Sequence, residues 1–189
     1  LALKAGNEVA LSGSGDPQKI ALSVKILTPG AQAMASTEVA QWADVIILAI
    51  PLSKFRQLPV DALKRKIVID ATNYWPEVDG PREDTIPETL SSSEAIQQFL
   101  PESRVVKALS HMGYHELRDW AKPIGSADRK AIAIAGDDQE AVTNVSSLVS
   151  DLGFEPISIG PLASGRVLEP GQPGFGLVTD PSSLQKLGN

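Results

Sequence analysis

Residues 45–50, VIILAI, are apolar at every position and stop at Pro51. Six residues is the length of a strand, and a strand with no polar face needs cover on both sides, as a parallel strand has between two helical layers. The pattern recurs as KIVIDA at 66–71, RVVKAL at 104–109, KAIAIA at 130–135 and EPISI at 155–159. Helical stretches at 60–64, 91–100 and 137–152 lie between these runs; the last has an acidic start that suits the helix dipole and ends at Gly153. Strands alternating with helices predict an α/β fold built on a doubly wound, mostly parallel sheet, with 45–50 as a central strand. On such a sheet ligands bind beyond the carboxyl ends of the strands, so the residues following each run are the candidates for function.

The first forty residues continue the alternation. A short strand at 8–12 leads to a helix opened by Asp16 and Pro17 and carrying Ile20, Leu22, Val24 and Leu27. A second short strand at 31–34 precedes a helix from Ser36, with Val39 and Trp42 on its apolar side and Asp44 at its end. Residues 1–6 read as the last turns of a helix closing on Gly6, and because the chain opens on Leu1 the natural protein is expected to begin earlier. At 189 residues there is room for one compact unit with a sizeable core. Seventeen Lys and Arg against 23 Asp and Glu give a net charge of −6 with no basic stripe, which argues against nucleic acid as a partner. The six-residue apolar run is far short of the roughly 20 needed to span a bilayer. Without cysteine there is no disulfide framework, thiolate metal site or cysteine nucleophile, and a cytoplasmic location is the expectation. Two segments rich in Gly, Pro and acidic residues, 75–87 and 160–189, read as long loops of the kind that cover sites.

Three segments could carry chemistry. GSG at 13–15 sits between a strand and a helix, but Gln18 stands where the phosphate-cradling G-x-G-x-x-G needs its third glycine. Placed after a second strand instead, the segment would face an adenosine ribose, where the hydroxyls of Ser12 and Ser14 with the cation of Lys19 suit a 2′-phosphate. A plain Ser-Gly turn ahead of a capped helix is the alternative. DATN at 70–73 closes a strand and puts polar groups at the mouth of the sheet, with an Asx-type turn as the alternative. Both histidines lie in SHMGYH at 110–115, where Gly113 intervenes and Met112 occupies the place of a metalloprotease glutamate; a substrate contact by His111 is expected over a metal site, with a merely hydrogen-bonded loop histidine as the alternative. No G-x-S-x-G elbow supports a hydrolase.

Taken in order, SGS at 12–14 with DPQK at 16–19, DVIILAIP at 44–51, DATN at 70–73, VVKALSHMGYH at 105–115 and AGDD at 135–138 resemble the NADPH-dependent reductases of the deazaflavin coenzyme F420. Related members include the nucleotide-binding domains of membrane ferric reductases. The resemblance implies a Rossmann-like NADP-binding part at 1–109 and a smaller C-terminal α/β extension at 110–189 that completes the substrate cleft. It implies hydride transfer between NADP(H) and the deazaflavin as co-substrate, with no acid–base residue required and the protein aligning two rings. Ser12, Ser14 and Lys19 would hold the 2′-phosphate; Ala49, Ile50 and Pro51 would line the cofactor path, with Ala71 and Asn73 beyond the next strand. His111 and Met112 would border the ring-stacking cleft, and Leu168, Glu169 and Pro170 would close it. A homodimer fits the likeness, with no interface legible. The family's first strand and glycine loop have no counterpart in these residues, Gly15 stands where arginine is usual, and Ser110 where asparagine is usual. The expected consequence is weak NADP binding by residues 1–189 alone. Reduction of an ordinary flavin or another acceptor by NADPH, and a non-catalytic nucleotide-sensing module, are the alternatives.

Overall fold

The computed structural model describes residues 1–177 and 181–188. The N-terminal turn of residues 1–6, with Ala5 N–H donating to the Leu1 carbonyl at 3.0 Å and Gly6 in the left-handed region, leads to β1 (Ala10–Leu11). There follow α1 (Gln18–Leu27), β2 (Gln32–Ala33), α2 (Ser36–Trp42), β3 (Val45–Leu48), a 3-10 segment Leu52–Gln57, α3 (Val60–Leu63) and β4 (Ile67–Asp70). The single-turn helices α4 (Pro76–Asp79) and α5 (Arg82–Thr85) occupy the first expected long loop, before α6 (Ser92–Phe99) and β5 (Arg104–Lys107). The rest comprises α7 (Tyr114–Trp120), β6 (Ala131–Gly136), α8 (Gln139–Asp151), β7 (Glu155–Ser158), a 3-10 segment Leu162–Leu168 and α9 (Pro181–Gln185).

Strands β3 to β7 form one sheet in sequence order, parallel throughout except that β6 runs antiparallel to β5. The sheet therefore continues across residue 109 into the C-terminal part. β1 and β2 pair in parallel as a separate two-stranded ribbon. Apolar residues alternate between the faces of the sheet. Ile46, Leu48, Val68 and Val105 meet Phe55, Ile96 and Leu100 on one side. Ile67, Ile69, Val106, Ile132 and Ile134 meet the Val142, Val145 and Val149 stripe of α8 on the other. That stripe, at i, i+3 and i+7, is why this helix docks as it does.

Caps set the ends. Ser91 accepts from the Glu94 N–H while Glu94 returns to the Ser91 N–H at 2.8 Å, a reciprocal capping box, and Asp138 accepts from the Ala141 N–H at 2.8 Å. Three expectations change. β3 is an edge strand of its sheet, and Ile47 is 44% exposed. Trp42, expected on the apolar side of α2, is largely exposed because Ala40 takes the buried position of that helix. β6 reverses direction, which its apolar run cannot signal because burial on both faces looks the same in either direction.

Candidate functional site

The carboxyl ends of β3 and β4 enclose a cavity of about 350 Å³ lined by Ala49, Ile50, Pro51, Ala71, Thr72, Asn73, Trp75, Val78 and Asp79. Its size falls within the range of small-molecule sites. Two loops form it, and a carboxylate ties them together. Asp79, buried in α4, accepts from the Ser53 N–H at 2.8 Å through one oxygen and from the Trp75 N–H at 2.9 Å through the other. Burial would raise its pKa, yet these backbone donors win and hold it below the usual carboxylate value.

Beneath the cavity lies a fully buried ion pair. Asp70 and Lys107 are register partners on β4 and β5, 3.1 Å apart. Asp70 also accepts from the Thr72 N–H and hydroxyl at 2.8 and 2.6 Å and from the Ser93 hydroxyl at 2.6 Å. Burial alone would push the Asp70 carboxyl up, but Lys107 and these donors together hold it below its ordinary value. Lys107 spends its remaining protons on the Thr72 carbonyl at 2.7 Å and the Ser92 hydroxyl at 3.2 Å. The loop after β4 is thus locked to the start of α6. Gly165 makes room for this: a Cβ there would sit 3.0 Å from Cβ and Cγ of Lys107.

Five of the residues expected to bind cofactor, Ala49, Ile50, Pro51, Ala71 and Asn73, are brought together in the cavity wall. Asn73 donates through Nδ2 to the Ser110 carbonyl at 2.7 Å, and its Oδ1 is buried with no partner. Ser12, Ser14 and Lys19 do not line the cavity; the serines lie exposed on the turn between β1 and α1, and Lys19 is exposed in the first turn of α1. Gly15 in that turn has φ +87°, and a Cβ there would be 3.9 Å from the Lys19 Nζ, so the lysine head already occupies the neighbourhood an arginine would fill. Any side chain at 15 would be strained.

The residues expected at the substrate cleft have other positions. His111 is 1% exposed, and its Nε2 accepts from the Ala133 N–H at 3.0 Å, so the imidazole points into the sheet layer instead of the cavity. Burial pushes its pKa down to about 4, the Leu177 backbone opposing and the Lys107 charge adding to the shift. His115 is exposed against Tyr114, so the two histidines do not converge. Met112 is buried in the core beneath β5 and β6, and Leu168 is buried against β6. Glu169 is buried because its carboxylate accepts from the Ser92 N–H at 2.6 Å and from Arg82 at 3.4 Å, tying the tail to α6. These four side chains are packed or hydrogen-bonded outside the lining of the cavity, and Pro170 is half-buried beside them. Among the described residues no group of three or more His, Asp and Glu is placed to hold a metal, and no helix is long and apolar enough to cross a membrane.

Thr72 of the DATN segment completes the wall together with Trp75, Val78 and Asp79, which the sequence did not assign to a site. The one available signal was an ionisable residue inside an apolar strand run: Lys107 within RVVKAL and Asp70 within KIVIDA.

A mostly parallel sheet with a cavity at the carboxyl ends of its strands is the architecture of a Rossmann-like α/β fold. Residues 1–74 match the model of the family described as NADP oxidoreductase, coenzyme F420-dependent. It is 31% identical over 146 residues to the F420-dependent NADP reductase of Methanocaldococcus jannaschii, covering 72% of this chain and 62% of that protein. It is 29% identical over 160 residues to the metalloreductase STEAP3 of Rattus norvegicus, covering 83% of this chain and 30% of that protein. The crystal structure of a hypothetical protein from Sinorhizobium meliloti superposes with a TM-score of 0.75 at 26% identity, over 94% of this chain and 86% of that one. The chain spans less than two thirds of the length of the two curated relatives.

Proposed function

We propose that this chain supplies the nucleotide side of a hydride transfer between NADP(H) and the deazaflavin coenzyme F420. The observation that carries this reading is the cavity, whose lining contains five of the residues that the family likeness assigns to the cofactor. The bound dinucleotide would supply a hydride at its nicotinamide ring. The chemistry of the wall suits that ring: Ala49, Ile50, Pro51 and Ala71 would present apolar surface to it, with the Asn73 amide beside them. Asp79 and Asp70 have their oxygens committed to other donors, so neither offers a base to the cavity. In this reading residues 1–109 hold the nucleotide and 110–189 brace the cleft, through the Ser110 carbonyl that orients Asn73 and the Glu169 carboxylate that anchors α6.

The test is NADPH oxidation followed spectroscopically with deazaflavin, with FMN and with a ferric chelate, beside calorimetric titration with NADPH. Turnover with deazaflavin supports the proposal. Turnover with FMN or ferric chelate alone moves the chain to the second reading, which the likeness to a metalloreductase favours. Binding without turnover by any acceptor makes it a sensing module. A further expectation concerns selectivity. Lys19→Ala should lower the preference for NADP over NAD about tenfold, the low end for a charged hydrogen bond at an exposed site. An unchanged ratio of the two dissociation constants would move the 2′-phosphate away from this turn.

A further inference from the structure

One wall of the cavity is not used by the nucleotide chemistry. Trp75 is 44% exposed, yet it is held firmly: its backbone is fixed to Asp79, and through Asp79 to Ser53 of the opposite loop. Phe175 from the C-terminal segment meets the indole edge-on, with centroids 5.8 Å apart and planes at 71°. That segment is itself anchored, because the Gly176 N–H donates to the His111 carbonyl at 3.0 Å. Val78, 60% exposed and three residues further on, extends the apolar surface beside the cavity. A large aromatic braced at its edge and open to solvent beside a cavity is shaped to receive another flat ring, since offset stacking of conjugated rings is favourable beyond the area it buries.

We propose that Trp75 is the ring platform for the hydride acceptor, a planar multi-ring heterocycle lying on the indole, with Phe175 bracing the indole and Val78 covering the rim. The inference rests on the hydride-transfer reading above and narrows its acceptor to a flat deazaflavin or flavin over a compact metal complex. The balance is simple. NADPH leaves as NADP⁺ after giving up a hydride, the ring gains that electron pair and proton, and a solvent proton completes the reduced ring.

The test uses Trp75→Ala, Trp75→Phe and Phe175→Ala in the full chain. Calorimetric binding of oxidised deazaflavin and of NADPH, each alone, is measured beside steady-state oxidation of NADPH with deazaflavin. Trp75→Ala should weaken deazaflavin binding and raise its KM by about tenfold or more, as loss of one stacking partner implies. Trp75→Phe should restore both to within about threefold, because an aromatic face remains. Any loss of NADPH affinity should be smaller than the loss of deazaflavin affinity in both, because the nicotinamide keeps the Ala49, Ile50, Pro51 and Ala71 surface. Wild-type deazaflavin affinity in a folded Trp75→Ala protein overturns the platform, as does an equal loss of NADPH affinity. Should Trp75→Ala not fold, a Trp75→Phe protein that matches wild type while Phe175→Ala loses deazaflavin affinity upholds the platform, and wild-type affinity in Phe175→Ala overturns it. Deazaflavin binding that depends on Trp75 without any turnover would uphold the platform and sink the hydride-transfer reading; turnover at wild-type KM in Trp75→Ala would do the reverse.

Discussion

Lys107→Met should cost the protein about 3–5 kcal/mol of folding stability, the range for removing one partner of a buried ion pair. Lys107 is wholly buried and donates to the Asp70 carboxylate, the Thr72 carbonyl and the Ser92 hydroxyl. Methionine matches the stem that packs under Gly165 but leaves Asp70 charged in the core. Asp70 keeps the Thr72 and Ser93 donors, so the lower half of the range is the better expectation. For a chain of this size the melting temperature should fall by about 2–4 °C per kcal/mol. Urea unfolding at pH 7 measures it, and a loss under about 1 kcal/mol would show that the pair fixes position without adding stability. Adding Asp70→Asn to Lys107→Met should recover part of the loss, because the uncompensated charge goes with it. The pH dependence has a definite sign. The Asp70 pKa lies below its ordinary value, so its contribution is full above the unfolded carboxylate value of about 3.9 and fades as pH falls below that toward the folded value.

The same pair marks where sequence reading ends. The cavity was legible because VIILAI and KIVIDA announce their own carboxyl ends, and a doubly wound sheet brings those ends together. The partnership of Asp70 with Lys107 was not. It depends on the register of β4 against β5, set by packing between segments 37 residues apart, which a local apolar pattern does not encode. Trp75 lay in a stretch whose Gly, Pro and acidic residues spell loop, and only the fold shows its ring meeting Phe175 from the tail. The inward turn of His111 was hidden for a related reason. Its position after a strand end is that of a site residue, but the antiparallel β6 brings the Ala133 N–H over the ring and turns it inward.

That burial gives the second large expectation: the protein should lose stability as pH falls from 6.5 toward 4, by about 3 kcal/mol across the interval. The sign follows from where the proton goes. In the unfolded chain His111 titrates near 6.5, whereas in the fold desolvation holds its pKa at about 4. Above 6.5 both states are neutral and the group is silent; below it the unfolded state gains a proton that the folded state refuses, and the difference saturates once pH drops under about 4. The neutral ring accepts at Nε2 from Ala133, so its proton sits on Nδ1, which has no hydrogen-bond partner of good geometry. Protonation would put a cation there, close enough to Lys107 to be repelled by it. His111→Gln keeps an acceptor for the Ala133 N–H and removes the titration, so the stability curve of that variant should be flat between pH 6.5 and 4, with only the carboxylate-driven fall below. His115→Gln is the control, because His115 is exposed and its loss should leave the slope in place. Urea midpoints for the three proteins across that range decide the matter: a His111→Gln curve parallel to wild type would mean that the imidazole reaches solvent, and the residue would return to the cleft.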